Sequence, residues 1–89
     1  MEDLDRLAPD DLKGALEALL LVSSDPVSAS QLASALDATP GEVAGLLAEL
    51  SVEYAEANRG FQLREVAGGW RLFTHPAWHD RVESYVLSW

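Results

Sequence analysis

The chain has no cysteine, which excludes disulfides and thiolate metal sites and points to a reducing compartment. It has no apolar run longer than Ala18 to Val22, far short of the ~20 residues that span a bilayer. The first residues, MEDLDRLAPDD, lack the basic and apolar regions of a secretory signal. A cytoplasmic, soluble protein is the expectation. Basic residues are scarce as well. From Gly14 to Asn58 there is no Lys or Arg, while the same stretch holds Glu17, Asp25, Asp37, Glu42, Glu49, Glu53 and Glu56. The net charge is −9, a balance that repels phosphate backbones and anionic membranes.

What is present is apolar surface. Of 89 residues, 48% are hydrophobic, too many for a disordered segment and enough for one small core. A chain this size buries roughly 60–65% of its unfolded surface, so it folds with little margin. Residues 1–9 read as a flexible lead-in and 10–89 as one domain. Asp10 or Asp11 is expected to cap a first helix that runs to about Ser23. Leu12, Leu16, Leu19 and Leu20 give it a core face. Ala15, Ala18, Leu21 and Val22 make it apolar on the other sides too, so burial on more than one side is expected.

Ser23-Ser24-Asp25-Pro26 breaks the helix, and Val27 reads as an extended stub. Ser28 with Gln31 forms a capping box for a second helix, with Leu32, Ala35 and Leu36 facing the core and an end near Asp37. Thr39, Pro40 and Glu42 supply cap, first helical residue and box closure for a third helix to about Ala57. Its core stripe is Val43, Leu46, Leu47, Leu50 and Tyr54, and Asn58-Arg59-Gly60 stops it. The period then changes to two. Phe61 to Val66 and Trp70 to Thr74 read as strands joined by a turn at Ala67-Gly68-Gly69. Thr74 or His75 caps a last helix opened by Pro76, with Trp78, Val82, Tyr85, Val86 and Trp89 apolar. Helix, stub, helix, helix, hairpin, helix is an α+β winged helix-turn-helix order, mainly helical, with a hairpin wing and a final helix.

In such a fold the third helix ordinarily reads the DNA major groove and needs cations or amides outward. Here that face carries Glu42, Glu49, Glu53 and Glu56 and no positive residue. The wing arginines Arg64 and Arg71 offer at most a weak backbone contact, and a DNA-binding regulator using them is the alternative reading. His75 and His79 have the i, i+4 spacing of a metal pair, with Asp80 adjacent, but no third ligand is evident and no metal site is expected. No nucleophile motif, phosphate loop or paired acid–base carboxylates stand out, so no catalytic residues are assigned. The surplus apolar surface is the stronger signal. Exposed apolar patches and Trp or Tyr anchors mark interfaces. Leu20, Leu21, Trp78, Val82, Tyr85 and Trp89 are therefore the candidate dimer or protein interface, with Trp70 divided between core and contact. Because the apolar helical pattern continues to Trp89 without a capping signal, more protein is expected to follow.

Residues LEALLLVSSDPVS at 16–28, QLASAL at 31–36, and 47–76 in order resemble the N-terminal domain of the bacterial segregation and condensation protein B family. The most specific pieces are Asp-Pro-Val-Ser at 25–28, the Arg59-Gly60 step, and Glu65-Val66-Ala67-Gly68-Gly69 followed by Arg71-Leu72 and Thr74. The resemblance covers about 12–87. Leu21 and Trp70 depart from it, at places where the family often has Phe and Tyr. It implies the first of two tandem winged-helix domains, forming homodimers largely through this one. The second domain would grip the kleisin subunit (ScpA), which with the SMC ATPase compacts and segregates chromosomes. It further implies no enzymatic activity, no cofactor, and a nucleoid-associated cytoplasmic location.

Overall fold

A computed structural model describes residues 7–89; the lead-in expected over 1–9 lies outside it except for its last three residues. Helix α1 spans Pro9–Val22 and starts earlier than either aspartate would place it. Pro9 takes the first helical position, where its missing N–H and fixed φ cost nothing, and Ala8 is the cap residue without a side-chain bond. Asp10 and Asp11 fall inside the first turn, where their charge acts on the helix dipole.

Helix α2 spans Ala29–Leu36 and α3 spans Pro40–Glu56. Both open on the capping boxes read from the sequence. Ser28 and Thr39 side chains accept from the amides of Gln31 and Glu42, and those side chains accept from the cap amides in return. Asp37 takes the left-handed conformation at φ 53° that ends α2. Strand β1, Phe61–Val66, pairs antiparallel with β2, Gly69–Thr74, from Phe61 opposite Thr74 to Val66 opposite Gly69. The loop is thus Ala67 and Gly68 alone, both at positive φ, as a two-residue hairpin turn requires.

Gly69 belongs to the strand and not to the turn. It is glycine for want of space: a Cβ there would stand 2.8 Å from the Cβ of Pro26. That approach lets Val27 form an isolated bridge to Trp70, with N–H to O distances of 3.0 and 2.7 Å. The stub joins the corner between α1 and α2 to the wing.

Leu16, Leu20, Leu32, Ala33, Val43, Leu47, Leu50 and Leu63 form the core where the three helices meet the inner face of the hairpin. Ala33 takes the place expected for Ala35, which is exposed. Trp70 packs half-buried against this core, so its apolar body is accounted for within the chain. Beyond β2, a 3-10 turn over Pro76–Trp78 leads into α4, His79–Leu87. No residue of α4 is buried. The Cα radius of gyration is 14.7 Å and the extents are 50 × 25 × 24 Å, against about 12 Å for a compact chain of this length.

Candidate protein interface

Leu20 and Leu21 are neighbours on α1 with opposite fates. Leu20 is 2% exposed and lies in the core, 100° around the helix from its neighbour, so it offers no surface to a partner and leaves the candidate set. Leu21 is 77% exposed and Val22 more so. The second apolar face of α1 therefore finds no cover among the described residues.

On the last helix Val82 is half-buried and Tyr85 is 66% exposed, while Trp89, two residues past its end, is 82% exposed. Positions 82, 85 and 86 share one helical face. Tyr85 and Trp89 meet edge to face, ring centroids 5.6 Å apart. Leu87 is exposed beside them. Trp78 lies at the foot of the helix with its indole near Gly60 and half its surface open. Among the described residues, α4 packs mainly against the turn it springs from. His75 caps that turn: its Nδ1 accepts from the amide of Ala77 at 3.0 Å, and its own amide donates to the Gly60 carbonyl. It precedes α4, so His75 and His79 do not form an i, i+4 pair on one helix.

Sequence reasoning missed a groove between α1, α3 and the hairpin. Glu17, Leu21, Tyr54, Phe61, Leu72, Phe73 and Thr74 line a volume of about 370 Å³. Tyr54 and Phe61 pack edge to face at 4.9 Å. The Tyr54 hydroxyl donates to Glu17, and burial together with that carboxylate pushes its pKa well above the usual tyrosine value. The rest of the lining is apolar apart from Thr74. Strand alternation assigns Phe61 and Leu72 to one face and Phe73 to the other. Three elements far apart in sequence have to meet before the groove exists, so no local pattern announces it.

The charges are arranged more locally than the sequence suggests. Lys13 of α1 reaches Glu49 and Glu53 of α3, at 3.0 and 2.5 Å, so the acidic outer face of α3 carries one cation from a neighbouring helix. Those carboxylates raise the Lys13 pKa. Arg64 and Arg71 stand opposite each other in the hairpin register, with guanidinium carbons 5.3 and 5.4 Å from the Phe73 ring centroid. Neither has a carboxylate partner among the described residues. Cation–π contact with one shared ring holds the two like charges side by side.

Exposed aromatics beside an apolar groove are the kind of surface that protein interfaces use. Comparison with known proteins places the chain in a family. The family model for segregation and condensation complex subunit ScpB matches residues 14–88. The chain is 49% identical over 77 residues to segregation and condensation protein B of Syntrophotalea carbinolica, covering 83% of this chain and 39% of that protein. It thus spans about two-fifths of the length of the curated relatives it matches. Among solved structures, ScpB from Mycobacterium tuberculosis is 37% identical with a TM-score of 0.90, over 93% of this chain and 52% of that one. A dimer of a ScpB N-terminal domain complexed with a ScpA peptide is 28% identical with a TM-score of 0.80, over 85% of this chain and 95% of that one.

Proposed function

The chain belongs to the family of segregation and condensation complex subunit ScpB, and from that premise we propose that it is a non-enzymatic winged-helix module that self-associates. It acts in chromosome condensation and segregation, in the cytoplasm at the nucleoid, as the first of two such domains. The assembly it serves joins the kleisin subunit, ScpA, to the SMC ATPase. A second domain is the kleisin grip implied by family resemblance. The related N-terminal-domain dimer complexed with a ScpA peptide supports placing part of that contact on this domain as well.

The observation that carries the proposal is α4. With Trp89 just past its end it displays Tyr85 to solvent and fully buries no side chain, and an exposed aromatic pair of this kind is a liability unless a partner covers it. Trp78 and Val82 lie at the foot of the same helix and on it, and Leu21 adds an exposed apolar side chain on α1. Sedimentation equilibrium is expected to give a dimer at micromolar concentration. A monomer at high micromolar concentration would overturn the proposal. Tyr85→Asp is expected to weaken the dimer roughly tenfold or more, as for an aromatic hot spot, with the circular-dichroism spectrum of the domain unchanged.

A second reading rests on Arg64 and Arg71. Two adjacent guanidiniums without carboxylate partners among the described residues suit a phosphate contact. The net charge and the acids along α3 oppose it.

A further inference from the structure

We propose that the outer face of the hairpin is a carboxylate clamp for an acidic, extended segment of a protein partner, with Arg64 and Arg71 as its two jaws. Its residues are not those of the α4 surface, and the clamp does not depend on self-association.

Leu63 is buried in the core, so alternation along β1 turns Gln62, Arg64 and Val66 to the opposite side. The register sets Phe73, Arg71 and Gly69 across from them. This outer face carries two cations, one amide and no acid. Glu65, the one carboxylate of the two strands, belongs to the inner face with Trp70. Both arginines are exposed. From Arg59 to Thr74 there are three arginines against that single glutamate, in a chain whose net charge is −9.

Trp70 exchanges backbone hydrogen bonds with Val27 in both directions, so its amide and carbonyl point away from β1. One step along, Arg64 and Arg71 therefore form a hydrogen-bonded pair, a geometry that sets Cα atoms about 5.5 Å apart. Like charges directly opposite each other are destabilising. The Phe73 ring, 5.3 and 5.4 Å from the two guanidinium carbons, offsets part of that repulsion. No carboxylate among the described residues completes the neutralisation. An anion held between the two side chains relieves it, and guanidinium forks match carboxylates bidentately.

Two features favour a peptide over a nucleic acid as the occupant. The aromatic ring of this face is engaged by both guanidiniums, whereas single strands are held by bases stacked on free rings. A duplex brings one phosphate charge per ~1.7 Å, and a chain of net charge −9 repels every charge beyond those the two arginines neutralise. A short peptide brings only the carboxylates that the clamp takes. An extended segment sets alternate side chains about 6.6 Å apart on one side, comparable with the spacing of the jaws. Acids at alternate positions then engage one arginine each, and the residue between them is free to be apolar.

The test titrates the isotope-labelled 89-residue chain with the peptide acetyl-Asp-Val-Asp-Val-Asp-amide at low ionic strength and follows backbone and arginine Nε–H resonances. The expected result is saturable shifts centred on Arg64, Arg71 and Phe73, absent with the peptide that has Asn in place of Asp, and weakened by added salt. Arg64→Gln and Arg71→Gln are each expected to weaken binding about fivefold, the size of one exposed charge pair. Arg64→Lys, which keeps the charge and loses the fork, should fall between parent and Arg64→Gln. Both positions are exposed, so the circular-dichroism spectra should match the parent's. No saturable shift, equal shifts with the Asn peptide, or a dissociation constant unchanged in both Gln variants would overturn the clamp. Shifts of the same residues at lower concentrations of a single-stranded oligothymidylate than of the peptide would overturn the choice of occupant and make the wing a nucleic-acid contact.

Discussion

Ala67 holds φ 50° and Gly68 φ 79° in the hairpin loop. A left-handed conformation costs an alanine about 1–2 kcal/mol, much less an asparagine. Two residues on, Gly69 sits so close to Pro26 that an added Cβ would meet its Cβ at 2.8 Å and its carbonyl carbon at 3.0 Å. Substitutions two positions apart should therefore move stability in opposite directions. Ala67→Asn is expected to stabilise by about 0.5–1 kcal/mol. Gly69→Ala is expected to cost about 1–3 kcal/mol, as overpacking does, because backbone cannot give way as a flexible side chain can. Urea unfolding of the two variants against the parent checks both signs. An unchanged midpoint for Gly69→Ala would mean that the corner at Pro26 is loose. Both residues looked alike in the sequence, as part of one Ala-Gly-Gly turn; only the close approach of the stub separates their roles.

Two side-chain ties join α1 to α3: Lys13 to Glu49 and Glu53, and Tyr54 to Glu17. Lys13 and Tyr54 both have raised pKa values in the folded chain. Each contribution is fully present below the unfolded pKa and is lost as pH rises toward and through the folded one. Ordinary tyrosine and lysine titrate at about 10–10.5, so the helix pair should weaken only above about pH 10. The thermal midpoint is expected to fall there, and Tyr54→Phe to fall less steeply between pH 9.5 and 12, having no phenol to ionise. Parallel curves would count against the Tyr54 tie. The elements themselves were legible in the sequence because their ends are chemical. Ser28 with Gln31 and Thr39 with Glu42 set the starts of α2 and α3 within single residues, and the change of period at Phe61 marked the hairpin. The start of α1 was misread, since Pro9 outweighs two competing aspartates. Ala33 was mistaken for its neighbour Ala35 because two small residues on a short helix give no contrast in period.

The molecule as a whole has a winged-helix frame with an electrostatic surface opposed to the usual use of that frame. A formal charge of −9 and the acids along α3 predict no shift of duplex DNA at physiological salt. At low salt any weak shift should vanish on replacing Arg64 and Arg71 together with Ala. A shift that survives that replacement would show a cationic surface elsewhere. Of the candidate interface, Leu21, Trp78, Tyr85 and Trp89 were legible as surplus apolar side chains, and all four are exposed. Leu20 was not distinguishable from Leu21 by composition, because only the packing of α1 decides which of two adjacent leucines turns inward. That α4 stands off the body was equally hidden, since its stripe has the same spacing as a core helix.

Among the described residues, the segment from His75 to Trp78 joins α4 to the rest of the molecule through one capped turn and the hydrogen bond to Gly60. Mechanically this is a lever on a short joint. Nine residues of helix give an arm of about 14 Å, so a 20° rotation at the joint carries its tip about 5 Å. The wing cannot follow that swing independently, because the Val27–Trp70 bridge braces it to the helical corner. A pull applied through α4 therefore concentrates at His75, while the braced body behind it moves as a unit.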